Sequence, residues 1–323
     1  MKAQNVSIIG LGRLGASVGL AVKRSPLEVA VIGHDRRPEV AQIARDVAQA
    51  VDRLERSPVA LAEQADILVL AVPHSELEPL LALIGEAVRP HALVLDFTSL
   101  KQPGLTWAAR YLKRGHYVGA SPVLAAQWLS DGRTETEAAS ADLFRDSVFC
   151  LSPSPQAEPQ AVETAVQFGA LLGATPFFLD PLEYDSLAQG MESVPGLLAA
   201  ALFRAVSESA GWRDMRRFAG QPFAQATQPL SAGAEIAHQA RRNKTAVLRW
   251  LDALILEMST VRDWIADDEN TDLLPAILAS LQEERQRWLD DRAKNDWAEH
   301  KSPEIEKYSM AHYFFGALAR KRD

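Results

Sequence analysis

The chain has 323 residues, 47% of them hydrophobic and 24% charged, with a net charge of −8. That length calls for two domains with apolar content enough for a core in each, and the acidic balance argues against nucleic acid as the main partner, whose phosphates select basic surfaces. No apolar run is long enough to span a bilayer and the amino terminus leads straight into a strand, so a cytoplasmic protein with no membrane partner is expected.

Val6-Ser7-Ile8-Ile9 reads as a buried strand, and it runs directly into Gly10-Leu11-Gly12-Arg13-Leu14-Gly15 and a helix-compatible stretch ending at Lys23. Strand, glycine turn and helix in that order present a helix N-terminus to a pyrophosphate: Gly10 allows the turn, Gly12 the close approach of phosphate, and Gly15 the packing of helix on strand. A second strand over 29–33 ends at His34-Asp35, twenty residues past Gly15, where a carboxylate accepts hydrogen bonds from an adenosine ribose. Asp35 therefore favours NAD. Arg36 and Arg37 keep NADP as the alternative, because they could stack on adenine or accommodate a 2′-phosphate.

Pro38 opens a helix over 39–50. Ile67 to Val72 is too continuously apolar for a half-exposed strand and suits the middle of a parallel sheet, with Pro73 ending it. A helix over 76–88, a strand over 92–96 leading into Phe97-Thr98-Ser99-Leu100-Lys101, a helix ending at 111–113 and a strand over 117–120 follow. Strands over 148–151 and 176–179 flank a helix over 158–172 with Gly173 at its C-cap. The single cysteine, Cys150, lies in the first of these strands; it reads as a buried strand residue, allows no intrachain disulfide, and no metal site is expected. This alternation predicts an α/β fold, a Rossmann-type doubly wound parallel sheet with its ligand site outside the carboxyl ends of the strands. From Asp185 onward strand signals disappear and long helices are predicted over 185–209, 232–265 and 271–292, with the domain boundary near Pro181. The expected organisation is a dinucleotide-binding domain over 1–180, an all-α substrate and dimerisation domain over 181–300, and a tail over 301–323. In that tail Tyr308, Met310, Tyr313, Phe314, Phe315 and Leu318 suit docking on the chain itself or on a partner subunit.

Several of these blocks, in order, resemble the prephenate and arogenate dehydrogenases of tyrosine biosynthesis: Gly10 to Ser17, Gly33-His34-Asp35-Arg36, Ala65 to Pro73, Asp96 to Lys101 and Gly119-Ala120-Ser121-Pro122. Asp180-Pro181-Leu182-Glu183-Tyr184-Asp185 resembles the family's DPxxHD turn and Gly211 to Ala219 its GFxDxTRIA stretch, so the similarity covers roughly residues 5 to 265. The resemblance implies an NAD(P)-dependent oxidoreductase that oxidises a ring hydroxyl with loss of the ring carboxylate as carbon dioxide, acting as a homodimer on a small carboxylate substrate. The nucleotide-binding set is Gly10, Gly12, Arg13, Leu14, Gly15, Asp35, Arg36, Val72, Pro73 and Thr98. Ser99 falls on the serine that meets the substrate hydroxyl and the nicotinamide region, Lys101 on the family lysine, and Arg217 on the arginine that holds a substrate carboxylate.

Three positions depart from the pattern. Ser121 stands where the family's GGHPMAG block has its proton-accepting histidine, Gln127 where a glutamate follows six places later, and Ser193 in the histidine position of SHLPH. A serine is no general base near pH 7 without an activating neighbour, and general-base help is worth ~10²–10⁴-fold in rate. His74, His116, Lys101 and Glu192 are the candidate replacements. A dehydrogenase of the same fold acting on another hydroxy acid, and a catalytically silent NAD-binding sensor, remain the rival readings.

Overall fold

The computed structural model describes residues 4–269 and 271–297. Eight strands among them form one sheet: β1 (Asn5–Ile9), β2 (Ala30–His34), β3 (Arg53–Leu54), β4 (Ile67–Leu70), β5 (Leu93–Asp96), β6 (His116–Pro122), β7 (Ser147–Pro153) and β8 (Ala174–Phe178), in the order β3-β2-β1-β4-β5-β6-β7-β8. The helices α1 (Arg13–Arg24), α2 (Pro38–Gln42), α3 (Pro58–Gln64), α4 (His74–Ile84), α5 (Lys101–Tyr111) and α6 (Pro159–Leu171) lie among the strands. Every residue of β4 and β5 is buried, as continuous apolar runs in the middle of a parallel sheet require.

Two apolar layers sandwich the sheet. On one face Ile8, Val18, Val69, Leu95, Val118 and Phe149 pack together; on the other Ile9, Leu68, Leu70, Leu77, Leu81 and Trp107 do. Each such side chain contributes roughly 1.5–3 kcal/mol by leaving water.

The sheet departs from the all-parallel expectation at one joint, because β6 and β7 pair antiparallel. Residues 123–146 between them form no crossover helix, only an irregular loop with two short 3₁₀ turns, so the chain re-enters the sheet from the end at which it left. Ser121 consequently lies opposite Cys150, at the carboxyl end of β6.

The helices that follow are α7 (Pro181–Met191), α8 (Ser193–Ser207), α9 (Trp212–Met215), α10 (Gln221–Thr227), α11 (Gly233–Arg242), α12 (Lys244–Ala266) and α13 (Leu273–Lys294). Two helices expected to be continuous are broken. The first breaks at Glu192, since Pro195 has no N–H to give and its ring excludes the carbonyl of Met191, four residues back. The second breaks at Asn243, whose side-chain amide donates to the Asp185 carbonyl at 2.9 Å. α12 and α13 leave Ile255, Leu256, Met258, Ile265, Leu278 and Leu281 exposed. Among the described residues no helix is long and apolar enough to cross a membrane. The aromatic tail expected over 308–318 lies outside the described residues.

Candidate active site

The turn after β1 has the geometry a phosphate needs. Gly10 adopts φ +94, and a Cβ there would collide with the Ala71 carbonyl, as one on Gly15 would with the Gly10 carbonyl. Gly12 is different: it is the N-cap of α1 at φ −63, and a Cβ added to it would meet nothing within 4 Å. The open space at the helix N-terminus is thus guarded by the one glycine of the three that packing does not require. Clefts of about 630 and 430 Å³ flank the turn. Asp35, Arg36, Val72 and Pro73 line the first; Leu14, Pro122 and Leu124 line the second. A dinucleotide fits this donor set.

Asp35 is already oriented. One carboxylate oxygen accepts the Leu11 N–H at 2.8 Å and the other the Arg37 N–H at 2.9 Å, which ties the acid to the glycine turn. Arg36 reaches across the cleft to Glu76 at 2.6 Å. Arg13, expected to touch the cofactor, lines the second cleft, but its guanidinium is engaged with the neighbouring loop. Its guanidinium is buried, paired with Asp131 at 2.5 Å, and donates to the Arg133 and Ala138 carbonyls at 2.7 and 3.1 Å. A bidentate arginine–aspartate pair of this kind fixes geometry. Arg13 holds the 131–138 loop beside the turn, and its own N–H approaches the Thr134 carbonyl at 3.4 Å.

At the end of β5 the polar groups are of two kinds. Lys101 is 1% exposed, and its ammonium donates to the carbonyls of Asp96, Thr98 and Ala120 at 3.0, 2.5 and 3.0 Å. All three protons are engaged and burial pushes its pKa down, so Lys101 welds β5 to β6 and does not reach a substrate, contrary to its expected catalytic role. By contrast, the hydroxyls of Thr98 and Ser99 are buried with no partner among the described residues. Asp185 caps the N-terminus of α5 from α7, accepting the Lys101 and Gln102 N–H groups at 2.6 and 3.0 Å; burial outweighs those bonds and lifts its pKa to about 6.

Across the cleft Tyr184 donates its phenolic proton to Ser121 Oγ at 2.8 Å, and its ring centroid lies 5.4 Å from the Lys101 ammonium. Burial pushes this phenol well above its ordinary value of 10, so it acts as a donor. Tyr184 is not among the residues expected in the site, although it occupies the histidine position of DPxxHD. Glu192 lies at the α7–α8 break and is exposed.

The other expected residues are placed elsewhere. Ser193 is fully buried and donates to Gln239 at 3.2 Å, beginning a chain through Glu235 to Ser75 that ties α8, α11 and α4 together; it has no free face for substrate. Gln127 is exposed on a 3₁₀ turn. Arg217 is 69% exposed and pairs with Asp214 at 3.7 Å, with no contact to Ser99 or Ser121 among the described residues. His74 lies between Trp107 and His238, its ring centroid 5.2 and 5.3 Å from theirs; burial pulls its pKa to about 4 and it is neutral. His116 lines a hollow of about 50 Å³ at the amino ends of the strands, with Asp66 and His91. Arg292, near the end of α13, donates to the Leu124 carbonyl at 2.8 Å on the wall of the second cleft; nothing in the sequence distinguishes it from its neighbours.

Residues 18–176 match the family described as prephenate dehydrogenase, nucleotide-binding domain. A prephenate dehydrogenase of Bacillus subtilis is 24% identical over 273 residues, 83% of this chain and 72% of that protein. In fold, the chain is similar to a prephenate dehydrogenase from A. aeolicus solved in complex with hydroxyphenyl propionate and NAD+, with a TM-score of 0.76, 19% identity, and 89% of this chain and 99% of that one covered. It is also similar to Synechocystis arogenate dehydrogenase, with a TM-score of 0.67, 19% identity, and 88% and 100% covered. The chain is thus similar to the prephenate dehydrogenases, most clearly across the nucleotide-binding region over residues 18–176.

Proposed function

We propose that the protein is an NAD-dependent dehydrogenase that oxidises the ring hydroxyl of a cyclohexadienyl carboxylate, prephenate or arogenate, with loss of carbon dioxide. The observation that carries this reading is the pair of buried, unpartnered hydroxyls on Thr98 and Ser99, just past the carboxyl end of β5, next to the strand β6 that ends at the Ser121–Tyr184 pair. A buried polar group without a partner costs about 1–3 kcal/mol, a cost that a bound hydroxyl and carboxamide would offset. Gly12 and the N-terminus of α1 would hold the pyrophosphate, Asp35 the adenosine ribose, and Val72 and Pro73 the wall beside it. NAD, when bound, supplies the hydride acceptor. Ser99 would orient the substrate hydroxyl from one side. Ser121, which accepts a hydrogen bond from Tyr184, has its own proton to give from the other.

Residues 1–180 would serve as the nucleotide-binding unit and 181–300 as the substrate and dimer unit. The exposed apolar faces of α12 and α13 support a homodimer, since such faces are ordinarily covered by a partner. Sedimentation should give twice the chain mass. The function itself is tested by NAD titration calorimetry followed by absorbance of the reduced nicotinamide with prephenate and with arogenate. Binding with turnover of at least one substrate is expected. Binding without turnover of either would favour a silent sensor, and no binding would refute the reading outright.

A further inference from the structure

We propose that Glu76, on the first turn of α4, sets the choice between NAD and NADP by occupying the arginine that a 2′-phosphate needs. The inference rests on the nucleotide half of the function proposed above and names the residue that discriminates there. The loop after β2 and the N-terminus of α4 face each other across the cleft of about 630 Å³. Its lining includes two carboxylates, Asp35 and Glu76, and two arginines, Arg36 and Arg37, so these charges balance.

Each guanidinium is already matched. Arg37 Nε lies 3.7 Å from an Asp35 oxygen, and Arg36 Nη1 lies 2.6 Å from Glu76 Oε1. Asp35 is not free to swing aside for a phosphate, because its side chain is only 8% exposed and its two oxygens accept the Leu11 and Arg37 N–H groups. Recognition of a phosphate therefore falls to Arg36, whose side chain is exposed. Glu76 is the better anchored member of that pair: its N–H donates to the Pro73 carbonyl at 2.9 Å, it is half-buried, and the helix dipole favours a carboxylate in the first turn.

With the adenosine ribose at Asp35, as proposed above, NAD presents neutral hydroxyls and leaves the Arg36–Glu76 pair intact. The 2′-phosphate of NADP instead brings up to about two negative charges toward Asp35 and Glu76. To engage Arg36 it must displace Glu76 and leave that carboxylate unpaired beside it. An arginine after this strand is ordinarily the residue that accommodates a 2′-phosphate, and its planar fork suits the task. Glu76 withdraws it from that use.

Paired calorimetric titrations with NAD and NADP read the effect without turnover. The wild type should bind NAD more tightly than NADP. Glu76→Gln, which keeps the shape and removes the charge, should shift the ratio of the two Kd values by about three- to tenfold toward NADP, somewhat beyond a single exposed ion pair because the phosphate is doubly charged. High salt should shrink that shift. Glu76→Asp should retain the wild-type preference in part, and in an Arg36→Ala background Glu76→Gln should shift the ratio by less, since no guanidinium is released. A Glu76→Gln variant whose two affinities change by the same factor, or not at all, overturns the assignment, as does a wild type that prefers NADP; dinucleotide binding stands in each case. The expected shift without turnover of prephenate or arogenate supports the role of Glu76 and refutes the proposed reaction. Binding of neither dinucleotide refutes both.

Discussion

Replacing Gly12 with alanine should separate cofactor binding from folding. The residue sits at φ −63 and ψ −173, extended backbone that alanine adopts freely, and the added Cβ meets no atom within 4 Å. The fold should lose only the small preference of an N-cap for glycine over alanine, below about 1 kcal/mol, or roughly 2–4 °C in Tm for a domain of this size. A bound pyrophosphate loses more, because the methyl group fills the space through which it approaches the α1 N–H groups. Each charged hydrogen bond is worth about 1.5–3 kcal/mol, so loss of one weakens NAD by about 10- to 150-fold. Thermal melting and calorimetric titration of the same variant read the two effects. Unchanged NAD affinity would mean that no phosphate sits at Gly12; a fall in Tm of more than about 10 °C would mean that the turn is packed and not open. Gly15→Ala, which drives a methyl into the Gly10 carbonyl, should melt far lower and serves as the contrast.

Asp35→Ala removes the ribose acceptor and frees the Leu11 and Arg37 N–H groups, so NAD affinity should fall by about tenfold or more and NADP affinity by less; equal losses in a paired titration would contradict the NAD assignment. Lys101→Met keeps the volume but leaves three carbonyls short of a donor, which should destabilise the protein by about 3 kcal/mol or more in urea unfolding; wild-type stability would refute the welding role. Tyr184→Phe removes one hydrogen bond to Ser121 and should lower kcat about tenfold with the Kd for NAD unchanged, whereas weakened NAD binding would place Tyr184 on the cofactor side.

The nucleotide half of the cleft is legible in the sequence because its signals are local. A glycine turn between a strand and a helix, an acid twenty residues on and six apolar residues in a row each imply a geometry without help from distant parts of the chain. The substrate half depends on long-range partners. Ser193 aligns with a family histidine, but that its hydroxyl turns to Gln239, 46 residues away, has no local sign. Lys101 reads as a catalytic cation because nothing in its block shows that the Asp96, Thr98 and Ala120 carbonyls converge on it. Arg13 lines the second cleft, but that its guanidinium turns to Asp131, 118 residues downstream, is hidden for the same reason. The antiparallel return of β7 is hidden in a loop without periodicity. Two signals are present in the sequence and carry more than they first suggest: Tyr184 in the DPxxHD block, which donates to Ser121, and Pro195, which breaks the helix at Glu192.

The central claim is that this cleft brings a hydroxyl-bearing ring carbon against a nicotinamide. The most direct test is to supply prephenate, and separately arogenate, deuterated at that carbon together with NAD, and to locate the label by NMR. The deuterium should appear on the reduced nicotinamide of the product, in equal amount to the carbon dioxide released. Its appearance in water, or release of carbon dioxide with no labelled cofactor, would contradict hydride transfer in this site.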